Sequence, residues 1–196
     1  MNELINHYDQ LIIEGNDPVL DPPELKQYMD KWDGPLFLEL LALKETDLVL
    51  EIGCGTGRLS LNVAPKVRSF TGIDISEKTI EKAKVHLPFE NISLICTDFL
   101  EYSSTEKFDL VFSSLTFMHI KEKYEAIMKI SNLLNPNGRV VISLDKNRET
   151  YIEYGTRKLE IYPDSPEEIV ALMETVGLKY IEKHETEFAY IVKAIK

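Results

Sequence analysis

"LVLEIGCGTGRLS", residues 48–60, sets an apolar run directly against three glycines, Gly53, Gly55 and Gly57. A short strand-like run that ends in a glycine-rich turn and passes into a helix opens a βα unit. In a doubly wound parallel sheet that turn is where a nucleotide binds, at the carboxyl ends of the strands. The spacing discriminates further. A dinucleotide site wants G-x-G-x-x-G, but here the pattern is G-x-G-x-G, and Arg58 stands where the third dinucleotide glycine belongs. Any tight strand-to-helix turn also uses glycine, so the neighbouring residues must decide.

Outward from this turn, short apolar runs alternate with amphipathic helical patterns, the mark of repeated βα units. Strands are expected at Leu48–Ile52, Ser69–Ile73, Ile92–Thr97, Phe108–Ser113 and Arg139–Leu144. One helix should follow Gly57, a second should start at Ser76 with Glu77 in its first turn, and a third should cover Lys121–Leu134 and stop at "NPNG", Asn135 to Gly138. "SPEEIVALMETVG" carries a capping box, Ser165 with Glu168, and a terminating glycine. Behind it "LKYIEKH" and "FAYIVKAI" lie too close for a parallel crossover and must pair antiparallel. The expected fold is α/β: a doubly wound, Rossmann-like seven-stranded sheet, mostly parallel, with an antiparallel C-terminal hairpin strand. Residues 1–45 read as a helical cap segment broken at Gly34-Pro35, and residues 46–196 as the core of one domain. Residues 145–163 show no clear period, and both they and the cap are placed over the open edge of the site.

Three acids strengthen the ligand reading. Glu51 ends the first strand, Asp74 the second in "GIDIS" and Asp98 the third in "CTDF", so all converge on one sheet edge. Asp74 falls 21 residues past Gly53, where a carboxylate accepts from ribose hydroxyls. Glu51 would repel a pyrophosphate and attract an amine. The ligand expected is a nucleoside with ribose, no phosphate and a cationic tail, a description that S-adenosyl-L-methionine meets.

With these residues in place, the sequence resembles the class I S-adenosylmethionine-dependent methyltransferases, in particular the small-molecule branch typified by quinone-biosynthesis enzymes. The resemblance runs from Leu48 to Lys196 on "VLEIGCGTGRLS", "GIDIS", "TDF", "FDLVFSSLTFMHI" and "LLNPNGRVVIS". It implies that Gly53, Cys54, Gly55 and Gly57 pass along the methionine part and that Glu51 helps hold its amino end. It further implies Asp74 on the ribose with Ile75 beside the adenine, Asp98 and Phe99 at the adenine edge, and Ser113 and Ser114 near the sulfonium. Two departures stand out. The family's P-G-G turn is "NPNG" here, which Asn137 can absorb because Asn tolerates positive φ. An N/D-P-P-Y/F signature is replaced by "SSLT", which argues against methylation of adenine amines or side-chain amides.

Methyl transfer needs alignment more than acid–base help, so no catalytic residue is read directly. His119, after the fourth strand, and Tyr8, in the N-terminal segment, are the candidates; His119 reads as structural or substrate-lining ahead of a base, and Tyr8 is equally readable as packing. Trp32, Phe37 and "LFLELL" read as core ahead of a substrate roof. Arg58 and Thr156 to Lys158 supply the cations near the opening, and Asp145 stands at the end of the fifth strand.

Composition bounds the rest. With 22 basic and 33 acidic side chains the formal charge is -11, which disfavours nucleic acid as partner. Cys54 and Cys96 lack metal-ligand spacing. The opening "MNELINHYDQ" has no signal-peptide pattern and no run reaches membrane-span length, so the expected location is cytoplasmic. A nicotinamide-dependent oxidoreductase and a non-catalytic cofactor-binding subunit are the competing readings, with protein or RNA methylation behind them.

Overall fold

The computed structural model describes residues 2–196. Three helices come first: α1 (Asn2–Ile13), α2 (Pro23–Asp33) and α3 (Pro35–Leu40). Then follow β1 (Leu48–Ile52), α4 (Ser60–Val63), β2 (Ser69–Asp74), α5 (Glu77–His86), β3 (Ile92–Cys96), β4 (Phe108–Ser114), α6 (Lys123–Leu133) and β5 (Leu134–Asp145). The chain closes with β6 (Tyr151–Tyr154), β7 (Arg157–Glu160), α7 (Pro166–Thr175), β8 (Lys179–Glu185) and β9 (Ala189–Ile195).

Seven strands form one sheet in the order β3-β2-β1-β4-β5-β9-β8. β1 pairs in parallel with both β2 and β4, while β9 runs antiparallel between β5 and β8. This is the expected sheet, with one reversed strand.

β1 and β4 are buried along most of their length, as strands covered on both faces must be. On one face Leu50, Val111, Ile127, Ile130 and Met173 share a core with α6 and α7. On the other Phe112 lies between Phe37 and Phe70, all fully buried, and burying each such ring contributes roughly 1.5–3 kcal/mol. Phe37 is therefore core, supplied by α3. The buried Arg139 guanidinium pairs with Asp47 and donates to the carbonyls of Leu41 and Ala42, fastening the end of α3 to the middle of β5.

Local chemistry explains the element ends. Ser76 caps α5 by accepting from the Thr79 amide, and Ser165 caps α7 by accepting from Glu168. The helix after Gly57 is cut to one turn, because Pro65 forces a short 3-10 segment over Ala64–Lys66. "NPNG" lies inside β5 as a looped-out stretch: Phe108 pairs with Leu134 and Leu110 already with Arg139. Asn137 takes φ 64° within it, and the backbone of Lys196 pairs with Asn137 and Gly138 to satisfy the bulge.

The segment without visible period forms a separate two-stranded ribbon, β6 with β7. Its two-residue loop starts with Gly155 at φ 61°, the residue a tight hairpin turn asks for at its first position. Among the described residues no helix is long and apolar enough to cross a membrane.

Candidate active site

Strand order reverses between β1 and β4, and a doubly wound sheet opens a crevice at such a switch point. A cavity of about 570 Å³ occupies it. Its floor comes from the sheet: Glu51, Gly53, Cys54, Gly55, Asp74, Ile75, Asp98, Phe99 and Ser114. Its roof includes Tyr8 of α1, Met29 of α2, Met118, His119, Leu159 of β7 and Tyr162. Two residues expected at the ligand do not line it. A Cβ on Gly57 would stand 2.8 Å from Leu87, so this glycine admits core packing. The Ser113 hydroxyl donates to the Ile52 carbonyl at 3.0 Å and knits β4 to β1.

The glycine turn is pinned from below, since the amides of Gly53 and Cys54 both donate to the Ile73 carbonyl, at 2.8 and 3.0 Å. Gly53 has φ 74°, and a Cβ there would fall 2.0 Å from the Thr116 hydroxyl oxygen. Gly55 differs. Its φ is 57° but no atom lies within 4 Å of where its Cβ would be, and its amide donates to one Asp74 oxygen at 3.0 Å. The other oxygen accepts from the Ser76 amide, also at 3.0 Å. Burial pushes the Asp74 carboxyl up, and these amide bonds oppose that. Asp98 is fixed in the same manner, accepting from the Leu100 amide at 2.6 Å. An oriented carboxylate beside an open glycine cradle fits a ribose; the residues present suit a nucleoside cofactor.

Glu51 is buried and accepts from the Ser60 hydroxyl at 2.5 Å. Burial raises its carboxyl to about 8, against the pull of Ser60 and Arg58. The protonated form is thereby favoured near neutral pH.

Sequence reasoning missed Asp33. Fully buried at the end of α2, it accepts from both the Arg58 guanidinium and the Ser114 hydroxyl, and its second oxygen has no partner. It ties α2 to the glycine turn and to β4. Arg58 is thereby engaged. Of the other cations named from sequence, Arg157 pairs with Glu14 at 2.6 Å, and the Lys158 ammonium sits over the Tyr151 ring at 3.4 Å. Trp32 stacks on Phe188 and donates to Asp145 at 2.8 Å, outside the cavity wall.

The roof rests on a few polar contacts. Tyr8 meets His119 Nε2 through its hydroxyl at 2.7 Å. Burial lowers His119 to about 4, helped by His7 and Lys123, and burial with nearby Asp74 carries the Tyr8 phenol above its ordinary range. Both are neutral near pH 7. Asp9, one residue on, accepts from the Ser76 hydroxyl at 2.7 Å. Asp164 pairs with Lys123 at 2.6 Å, and Lys123 also donates to the carbonyls of Phe117 and Tyr162. This holds the segment after β7 against the loop that carries His119.

An α/β fold whose glycine turn and buried, amide-braced Asp74 suit a nucleoside defines the class. A family model described as "Methyltransferase domain" matches residues 43–186. The chain is 30% identical over 176 residues to an uncharacterized methyltransferase of Bacillus cytotoxicus, covering 81% of this chain and 82% of that protein. Against a malonyl-[acyl-carrier protein] O-methyltransferase of Priestia megaterium it is 36% identical over 97 residues, 48% of this chain and 35% of that one. The chain thus spans little more than a third of the length of that relative. The structure of magnesium protoporphyrin IX methyltransferase from Synechocystis PCC 6803, with bound SAM, superimposes with a TM-score of 0.77 at 18% identity, over 98% of this chain and 95% of the other. The chain belongs to the methyltransferase domain family, the enzymes that use S-adenosylmethionine as methyl donor.

Proposed function

We propose that this chain transfers the methyl group of S-adenosylmethionine to a small-molecule acceptor held under the roof of α1, α2, β7 and the segment around Tyr162. The observation that carries this is the shared cavity: the Gly55 cradle, Asp74 and Asp98 on one wall, Tyr8 and His119 on the facing one. When bound, the cofactor supplies an electrophilic methyl on a sulfonium whose departure as a thioether needs no acid. The protein's own work is positional. Asp74 takes the ribose hydroxyls with its free lone pairs, the Gly53–Gly55 backbone lies along the amino-acid part, and Ile75, Asp98 and Phe99 border the adenine. Ser114, oriented by Asp33, faces the reacting end. His119 and Tyr8 line the acceptor side as a neutral pair that can position a polar hydrogen. Residues 1–45 act with 145–163 as the acceptor-choosing cover, on the core 46–196.

The acceptor is the finer question. The quinone-type branch is one class, and the printed name of the Priestia megaterium relative points to a carrier-protein-linked malonyl group as another. Calorimetric titration with S-adenosylmethionine, S-adenosylhomocysteine and NAD tests the core of the proposal. Micromolar binding of the first two and none of NAD is expected; binding of NAD alone would return the glycine turn to a phosphate cradle and an oxidoreductase.

A further inference from the structure

The charges around the acceptor half of the cavity are one-sided. Glu3, Glu122 and Glu160 stand exposed on its lining, one each from α1, the entry to α6 and β7. None of them forms an ion pair among the described residues, although Glu160 accepts from the Tyr162 hydroxyl at 2.9 Å. The lining cations are Arg58 and Lys121. Arg58 is committed to the buried Asp33, and Lys121 is exposed with its ammonium over the Tyr162 ring at 5.9 Å. Deeper in, Leu4, Met29, Met118 and Leu159 are apolar, and the Tyr8–His119 pair presents a single unpartnered ring nitrogen, Nδ1 of His119.

We infer that the methyl acceptor is a basic amine on an apolar body, and that Glu3, Glu122 and Glu160 select it against carboxylates. The inference rests on the methyltransferase reading and deepens it. A rim of three carboxylates set against one exposed ammonium, that of Lys121, concentrates a cationic substrate and repels an anionic one. It also suits the charge flow of the reaction. The ammonium gives one proton to solvent at the rim, and the freed lone pair forms the N–C bond. The S–C bond breaks as its electron pair stays on sulfur. Positive charge moves from sulfur to nitrogen and never leaves the carboxylate-lined cavity. A carboxylate acceptor would instead cancel the sulfonium charge while itself sitting among uncompensated acids, with no free guanidinium to receive it. The absence of N/D-P-P-Y/F agrees with this, because a basic amine needs no help to raise its nucleophilicity, unlike an amide or a nucleobase amine.

The test uses the full chain saturated with S-adenosylhomocysteine, titrated with two matched sets: phenylethylamine, phenylethanol and phenylacetate, and octylamine, octanol and octanoate. The amine of each set should bind about tenfold or more tighter than its carboxylate, a gap set by the rim charges. The double variant Glu122→Gln with Glu160→Gln should shrink that gap to about threefold while leaving the affinity for S-adenosylhomocysteine intact. With S-adenosylmethionine, mass spectrometry should find the N-methyl product. Amines that bind no tighter than their carboxylates, silence of the whole panel included, overturn the inference while the methyltransferase reading stands. A chain that fails to bind S-adenosylhomocysteine removes that reading first, and this one with it.

Discussion

The floor and the roof of the cavity are built by different means. The floor is held by backbone: parallel ladders, the turn amides on the Ile73 carbonyl, and Asp74 braced by two amides within its own neighbourhood. The roof is held by side chains reaching across long stretches of sequence, Tyr8 to His119, Asp9 to Ser76, Asp33 to Ser114 and Arg157 to Glu14. A ladder fixes position to a fraction of an ångström and tolerates little change, whereas a few polar pairs can be exchanged one at a time. On the proposed function, the invariant part of the chemistry, the cofactor, falls on the rigid half and the choice of acceptor on the adjustable one.

That contrast can be broken by experiment. The largest effect belongs to Gly53→Ala, whose methyl would collide with Thr116 at a positive φ; a loss of about 3 kcal/mol or more in urea unfolding is expected. Gly55→Ala should cost only about 1 kcal/mol, since only the left-handed backbone opposes it, yet abolish cofactor binding by filling the cradle. Equal stability losses in the two would show that Gly55 is structural. Next comes Asp33→Ala, which strands Arg58 in a mostly buried position; about 3 kcal/mol is expected, with thermal unfolding as readout, and Asp33→Asn should recover part of it. Asp74→Ala should lower affinity for S-adenosylhomocysteine by about a hundredfold, the worth of a two-point charged hydrogen bond. Calorimetry showing less than a tenfold change would take the ribose away from Asp74.

The two halves should also answer pH with opposite signs. Glu51, in the floor, has its folded value raised from 4.5 to about 8, so its contribution is full below 4.5 and lost as pH rises towards 8. His119, in the roof, is lowered from 6.5 to about 4; its contribution is full above 6.5 and lost as pH falls towards 4. Urea midpoints of Glu51→Gln and His119→Gln, each compared with the parent from pH 4 to 8, should diverge in opposite directions, and slopes of one sign would refute the assignment of either group. The smallest effect is Tyr8→Phe. It removes one hydrogen bond, so about 1 kcal/mol of stability should go, with cofactor affinity held within twofold and acceptor affinity lowered more.

The same division decided what could be read in advance. Strand positions, the Ser76 and Ser165 caps, the reversed strand and the three acids follow from patterns a few residues long, and all are present. The positive φ that Asn137 was suited to absorb is there as well. Asp33 was illegible because its partners lie 25 and 81 residues away; in the sequence it is one more acid at the end of an amphipathic helix. The β6–β7 ribbon escaped because its alternation is interrupted by charged residues on short strands that bury only Leu159, although the Gly155-Thr156 step was a usable turn signal. Ser113 and Gly57 fell one position outside the cavity for a reason periodicity cannot resolve: which side of a strand or turn faces the ligand depends on the neighbour it packs against, Ile52 or Leu87.

Asp9 reaches beyond Ser76 to accept, at 3.4 Å, from the backbone amide of Lys78. That amide lies in the first turn of α5, where a helix offers no partner of its own. The next amide, Thr79, is covered from within by Ser76. Two adjacent protons thus have different guardians, one on the roof and one on the floor. In native-state hydrogen exchange the Lys78 amide becomes a clock for lifting of α1, with Thr79 beside it as the reference that should not change pace when the roof alone opens.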